Sequence, residues 1–266
     1  MATLINKVVW VTGASSGIGE ALVRELAEKG SKVILSSRNT ERLNKIKASL
    51  PEPARENSRV LTLDLSMPES LANKANEAIA LFGRIDILIH SGGISQRSMA
   101  LDTLVDVDRR LMEVNYFSTV TITKAVLPTM IANGFGHIVP ISSLVGKFGS
   151  PYRSGYSASK HALHGFYDSL RAELYSKNIL VTLVTPGFVK TNVSINALTE
   201  NGKALNQMDD AQKKGMPAEV CAKKIIKGIV KERNELLIGG RETLGVYVKR
   251  FLPNLFAKII RTAKVR

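Results

Sequence analysis

Lys7-Val8-Val9-Trp10-Val11-Thr12-Gly13-Ala14-Ser15-Ser16-Gly17-Ile18-Gly19 is a short apolar run that ends in a cluster of glycines. Directly after it, Ala21-Leu22-Val23-Arg24-Glu25-Leu26-Ala27 sets apolar residues at helical spacing, and Gly30 supplies a stop. The stretch reads as strand, tight turn, helix. Gly13, Gly17 and Gly19 stand at the mouth of that helix in the spacing G-x-x-x-G-x-G. A glycine at such a turn permits positive φ, one without a Cβ lets backbone approach a pyrophosphate, and the helix N-terminus offers free N–H groups to that anion. A purely structural glycine-rich turn is the alternative, and the flanking strand and helix argue for the binding reading.

The same alternation continues outward. Lys32 to Ser37, Arg59 to Leu65 and Ile85 to His90 read as the second, third and fourth strands, with helical stretches near residues 40–49 and 68–82 between them. A long helix around 103–132 precedes a strand from Gly136 to Ser142. Then follow a helix from about Tyr152 to Lys177, a strand from Leu180 to Thr185, a helix from Pro217 to Lys231 and a last strand from Glu235 to Ile238. The fold class expected is α/β, a doubly wound, seven-stranded parallel sheet in one domain over residues 1–240, with ligands beyond the carboxyl ends of the strands. Periodicity fails at about 190–216, a polar segment with Gly202 and Gly215 that reads as a lid, floppiness being the alternative.

Which dinucleotide binds turns on the end of the second strand, Leu35-Ser36-Ser37-Arg38-Asn39. An acidic side chain there would hold the ribose 2′-hydroxyl of NAD and repel a 2′-phosphate. None is present; Ser37 and Arg38 suit a phosphate, so NADP(H) is expected over NAD(H), although Arg38 also fits a merely solvated cation. Asp64, ending the third strand, is placed to accept from an adenine amino group or to cap the next helix.

Tyr156-Ser157-Ala158-Ser159-Lys160 lies thirteen residues beyond Ser143. A Tyr and a Lys four apart stack on one helix face about 6 Å apart, so the ammonium can bias the phenol toward phenolate. Hydride-transfer chemistry needs such a general acid/base, since an unperturbed tyrosine with a pKa of about 10 is a poor base at neutral pH.

Composition bounds the rest. The 266 residues carry 44% hydrophobic side chains, ordinary for a packed globule, and no internal repeat appears. Cys221, the single cysteine, excludes an intramolecular disulfide and a cysteine-cluster metal site; it reads as a small half-buried helix residue. His90, His137, His161 and His164 lack acidic or cysteine partners at ligand spacing, and no metal is expected. The formal charge is +14, and residues 203–266 hold fifteen Lys/Arg against six Asp/Glu. Such asymmetry suits nucleic acid, an anionic membrane or anionic substrates, with a solvated surface as the default, and no nucleic acid partner is expected. Only Met1 to Asn6 precede the first strand, leaving no room for a signal peptide or anchor, so a cytoplasmic location is expected.

Taken in order, Thr12-Gly13-(x)3-Gly17-Ile18-Gly19, Asp64, Asn115, Ser142-Ser143, Tyr156-(x)3-Lys160 and Pro186-Gly187 followed by Thr191 resemble the short-chain dehydrogenase/reductase family in its extended-motif type. The resemblance runs from about Val8 to Ile238, and Pro186-Gly187-Phe188-Val189-Lys190-Thr191-Asn192 with the hydrophobic-basic tail is most similar to the member 7 branch. It implies a Rossmann-like fold and a catalytic set of Asn115, Ser143, Tyr156 and Lys160. Tyr156 would donate a proton to the carbonyl oxygen, Ser143 would hydrogen-bond the same oxygen, Lys160 would hold the nicotinamide ribose, and Asn115 would hold a proton-relaying water. The implied cofactor contacts comprise Gly13, Ser15, Ser16, Gly17, Ile18, Gly19, Ser37, Arg38, Asp64, Leu65, Ser91, Gly92, Gly93, Asn115, Tyr156, Lys160, Pro186, Gly187, Val189 and Thr191. A homodimer or homotetramer is implied as well.

Two departures stand out. His90-Ser91-Gly92-Gly93 replaces the family's Asn-Asn-Ala-Gly and loses two amides that tie strands and cofactor loop together. Pro140 sits inside the strand that leads to Ser143, which predicts a bulge or a carbonyl with a water partner. Beyond the domain, 241–266 is a basic amphipathic extension: Leu244, Val248, Phe251, Leu252, Leu255, Phe256, Ile259 and Ile260 recur at helical spacing around Pro253. It suits packing across the substrate cleft or on another subunit, which the proline break favours, or peripheral contact with an anionic membrane. The function expected is NADP(H)-dependent interconversion of a carbonyl and an alcohol on an apolar molecule such as a lipid, retinoid or steroid-like compound. A non-catalytic nucleotide sensor and a peripheral membrane protein using the basic C-terminal region are the competing readings.

Overall fold

The computed structural model describes residues 3–263; the outermost residues of the expected domain and of the tail, 1–2 and 264–266, lie outside the described residues. In chain order the elements are β1 (Val8–Thr12), α1 (Gly17–Glu28), β2 (Lys32–Ser37), α2 (Thr40–Ala48), β3 (Ser58–Thr62), α3 (Pro68–Ala80), β4 (Ile87–His90), α4 (Val105–Met112), α5 (Ser118–Ala132), β5 (Gly136–Pro140) and α6 (Ser154–Glu173). They continue with β6 (Ile179–Val181), β7 (Leu183–Pro186), β8 (Val189–Lys190), α7 (Asp210–Lys213), β9 (Met216–Pro217), α8 (Ala218–Val230), β10 (Glu235–Ile238), α9 (Leu244–Phe251) and α10 (Pro253–Arg261).

The parallel sheet runs β3-β2-β1-β4-β5-β6. Both faces are covered, and the alternation of side chains along each strand shows how. Val9 and Val11 of β1, Val33 and Leu35 of β2, and Ile87 and Ile89 of β4 pack into one core with α1, α2 and α8. Val8, Trp10, Ile34 and Leu88 pack into the other with α3, α5 and α6. A strand buried on both faces needs apolar residues at every position, which is why β1 reads as a continuous run. Trp10 Nε1, buried by this packing, donates to Ser36 Oγ at 2.8 Å.

The expected seven strands become six in the main sheet. The strand expected at Leu180–Thr185 splits at Thr182 into β6 and β7, and β10 pairs with β7 as a separate two-stranded ladder. Pro140 is the physical cause. Thr182 N donates to the Ile138 carbonyl and Ser142 N to the Val184 carbonyl, so position 140 faces the same neighbour and is the donor due to the Thr182 carbonyl between those rungs. Proline has no N–H to give, and the ladder breaks there. Of the two effects expected at Pro140, the ladder shows the carbonyl deprived of its backbone donor, at Thr182 on the neighbouring strand, and not the bulge.

The helix expected at 103–132 is one run with a wide turn inside it, since Glu113–Phe117 between α4 and α5 is π-helical. Asn115 sits in that turn. The helix expected to reach Lys177 stops at Glu173 and tightens into a 3-10 turn over Tyr175–Lys177. Cys221 is fully buried in α8, not half-buried, and burial pushes its thiol up to about 12. The expected lid is tethered throughout: Leu198 N donates to the Ser95 carbonyl, Arg97 N to the Leu198 carbonyl, and Leu104 N to the Glu200 carbonyl.

Candidate active site

At the end of β1 the chain turns on Gly13, at φ 68°, where a Cβ would stand 2.5 Å from Gly92 Cα. Gly17 also has positive φ, and Gly19 packs so that a Cβ would meet the Gly13 carbonyl oxygen at 2.2 Å. Three backbones thus converge where no side chain fits. Above them a cavity of about 570 Å³ crosses the carboxyl ends of the strands. It runs from Ser37, Arg38, Asp64 and Leu65 at the ends of β2 and β3, over Gly13, Ser15, Ser16, Gly17 and Ile18, past Ser91, Gly92 and Gly93, to Ser143, Tyr156, Lys160, Pro186, Gly187, Val189 and Thr191. Its size and glycine floor fit a dinucleotide.

Two expected contacts do not line it. Gly19 lies beneath the floor, where it makes room for the Gly13 carbonyl. Asn115 is fully buried: its Oδ1 accepts from Ile94 N at 2.8 Å, and its Nδ2 donates to the Ile94 carbonyl and to Ser159 Oγ, each at 2.9 Å. In the π turn its amide clamps the chain after Gly93 and is not aimed at the cavity.

At the adenosine end Asp64 Oδ1 accepts from Ser66 N at 2.9 Å and Ser66 Oγ at 2.7 Å, a turn that leads toward α3. Burial raises this carboxyl, but the Ser66 hydrogen bonds and the charges of Arg38 and Arg110 outweigh it and hold the group below its usual range. Arg110, which no motif singled out, lines the cavity beside Arg38. The lost strand-tying amides are replaced from the other side, since His90 Nε2 and Thr123 Oγ1 lie 2.9 Å apart and Thr123 Oγ1 meets Tyr167 OH at 2.9 Å. Desolvation, with Lys160 nearby, pushes His90 down to about 3, so it is neutral.

The reactive end is built on α6. Gln96 Oε1 accepts from Gly155 N at 2.9 Å and Tyr156 N at 3.2 Å, satisfying two of the free N–H groups at the start of this helix. One turn on, Lys160 Nζ stands 5.8 Å from the Tyr156 ring centroid and donates to the Ile141 carbonyl at 2.9 Å. Burial pushes Lys160 down to about 8. Burial raises the Tyr156 pKa, and what pulls against it is the charge of Arg97, the hydrogen bond with Ser143 and the charge of Arg153. Lys160, itself desolvated, is turned to the Ile141 carbonyl.

Arg97 and Arg153 are buried and converge on Asp209, in the segment expected to be a lid: Arg97 Nη2 lies 2.6 Å and Arg153 Nη2 3.3 Å from Asp209 Oδ2. Two guanidiniums thus share one carboxylate. Burial and the neighbouring Arg97 lower Arg153 to about 10 against the pull of Asp209. Sequence reasoning missed this cluster because its members are single charges in loops, with Arg97 and Asp209 separated by 112 positions.

These arginines line a second cavity, of about 400 Å³, with Leu144, Val145, Phe148, Val248, Phe256 and Ile260. Its roof is the tail. Phe256, 6% exposed, stacks on Phe148 with ring centroids 5.0 Å apart, and the cluster they form reaches Tyr156. Ser143, Tyr156, Gly187, Val193 and Gln212 line both cavities, so the hydrogen-bonded pair Ser143 and Tyr156 stands at their junction.

Residues 7–202 match the short chain dehydrogenase family profile. The chain is 41% identical to dehydrogenase/reductase SDR family protein 7-like of Drosophila melanogaster, over 99% of this chain and 82% of that one. It is likewise 41% identical to dehydrogenase/reductase SDR family member 7B of Rattus norvegicus, over 97% and 82%. Among solved structures, a short chain dehydrogenase/reductase from Burkholderia phymatum in complex with NAD superposes with a TM-score of 0.85 at 21% identity, over 96% of each chain. One from Burkholderia cenocepacia in complex with NADP superposes with a TM-score of 0.80 at 23% identity, over 98% of this chain and 100% of that one.

Proposed function

The chain belongs to the short-chain dehydrogenase/reductase family, in its member 7 branch, as an oxidoreductase acting on CH–OH groups with a nicotinamide acceptor, and from that premise we propose that it interconverts a carbonyl and an alcohol on a largely apolar small molecule and prefers NADP(H) to NAD(H). The observation that carries the reading is the position of Ser143 and Tyr156 at the junction of the two cavities, one floored by glycines and the other walled by apolar side chains. A nicotinamide dinucleotide, when bound, supplies or takes up hydride there. Tyr156 holds the proton that the substrate oxygen gains or loses. Burial keeps the phenol protonated at neutral pH, which suits it to act as acid in carbonyl reduction. Ser143 shares that hydrogen bond and steadies the oxygen as charge grows on it. Lys160, held by the Ile141 carbonyl on the cavity wall, is the group for the ribose hydroxyls, while Asn115 fixes the backbone at Ile94 beside the glycines of that wall.

The preference for NADP(H) is supported by the absence of a carboxylate at the end of β2 and by Ser37, Arg38 and Arg110 on that wall. The substrate reading is supported by the aliphatic and aromatic lining under the tail. We read the assembly as a homodimer or homotetramer, with Phe117 and Ile131 among the exposed apolar residues available to it. Turnover by Tyr156→Phe tests the core of the proposal. That variant keeps its affinity for NADPH and loses at least about a hundredfold in kcat on a carbonyl panel followed by NADPH absorbance. A Phe variant as active as the parent ends it.

A further inference from the structure

The two tail helices use only one side to roof the apolar cavity. Val248, Phe256 and Ile260 point inward, while a second apolar row faces out. Leu244, Tyr247 and Phe251 follow one another at helical spacing on α9, Leu252 and Leu255 continue the row into the start of α10, and all five are between 47% and 74% exposed. Around them Arg241, Lys249, Arg250, Lys258 and Arg261 are the basic residues of the described tail, against the single acid Glu242, whose Oε1 accepts from Gly240 N at 3.0 Å. An apolar row of this extent on an exposed surface marks an interaction site.

We propose that the outer face of α9 and α10 docks on an anionic lipid surface. Charge decides between occupants. A second copy of this chain, meeting the face about a two-fold axis, would bring five basic residues against five, whereas a layer of acidic headgroups neutralises them while the five apolar side chains enter the acyl boundary. Helices of eight and nine residues suit lying in that boundary, and among the described residues no helix is long and apolar enough to cross a membrane. The docked face lies directly over the cavity that reaches Tyr156, so an apolar substrate dissolved in the bilayer meets its pocket without passing through water. That last step rests on the function proposed above; the docking itself does not.

The test is sedimentation of the full chain with phosphatidylcholine vesicles and with vesicles of phosphatidylcholine and phosphatidylserine, at physiological salt. The parent chain sediments with the anionic vesicles and stays in solution with the neutral ones. Phe251→Ser/Leu255→Ser, which touches neither cavity wall, lowers the anionic partition by about tenfold or more and leaves turnover of a water-soluble carbonyl and the thermal midpoint unchanged. Lys249→Glu/Arg250→Glu lowers it too. A parent chain that remains in the supernatant overturns the proposal. So does a Ser/Ser variant that sediments like the parent, because binding would then reflect overall charge alone. A Ser/Ser variant whose molar mass falls in vesicle-free solution overturns it in favour of a second copy. Vesicle binding without turnover would remove the catalytic reading and leave the docking face standing.

Discussion

Gly19 is the position where the architecture of the cofactor turn can be tested without placing a side chain in the cavity. In Gly19→Ala the new Cβ meets the Gly13 carbonyl oxygen at 2.2 Å, its carbon at 2.8 Å and Ala14 Cα at 3.2 Å. The first contact is roughly 1 Å closer than such atoms can approach. Neither partner has room to retreat. Gly13 is held at φ 68° with Gly92 pressed against it, and α1 is fixed by fully buried Leu22, Val23 and Leu26. Overpacking of this kind costs about 1–3 kcal/mol, which for a chain of this size lowers the thermal midpoint by about 2–6 °C. The N–H groups at the start of α1 move with the turn, and a displacement near 1 Å at a binding or catalytic geometry costs on the order of a hundredfold. Titration of NADPH fluorescence with the variant, beside a thermal melt, reads both effects. Affinity within about threefold of the parent would show that the turn is loose and that the pyrophosphate does not depend on it.

Two further outcomes follow from the site. Arg38→Asp replaces a phosphate-binding cation with the carboxylate that suits a ribose diol, so the ratio of kcat/KM for NADPH over NADH falls by roughly a hundredfold; an unchanged ratio shows that Arg38 does not read the 2′-phosphate. Asp209→Asn removes one negative charge from beside Arg97 and Arg153, so their positive charges pull the Tyr156 pKa further downward. Carbonyl reduction needs the protonated phenol, which is present below that pKa and lost as pH rises through it, so the alkaline limb of kcat/KM moves to lower pH by about one unit. A limb that stays in place, or moves up, removes the arginines from the control of Tyr156.

What could be read from the chain alone is what local rules decide. The run from Val8 to Gly19 specifies a buried strand and a tight turn because side-chain period and positive φ are properties of neighbouring residues. Tyr156 and Lys160 share a helix face for the same reason. The positions expected to be catalytic and cofactor-binding, with Gly19 and Asn115 set back from the cavity, meet where the strand order of a doubly wound sheet brings them. Burial and long-range charge decided the rest. Lys160 depends on the Ile141 carbonyl across the fold, and Tyr156 on Arg97 and Arg153, which the Asp209 of a distant loop gathers into one cluster. The consequence of Pro140 appears only opposite it, at Thr182. The tail shows an amphipathic pattern in one dimension, but which stripe faces the pocket and which faces outward is settled by Phe148 and Phe256 meeting in space. Contacts between residues far apart in sequence leave no periodic trace in it, and packing alone reveals them.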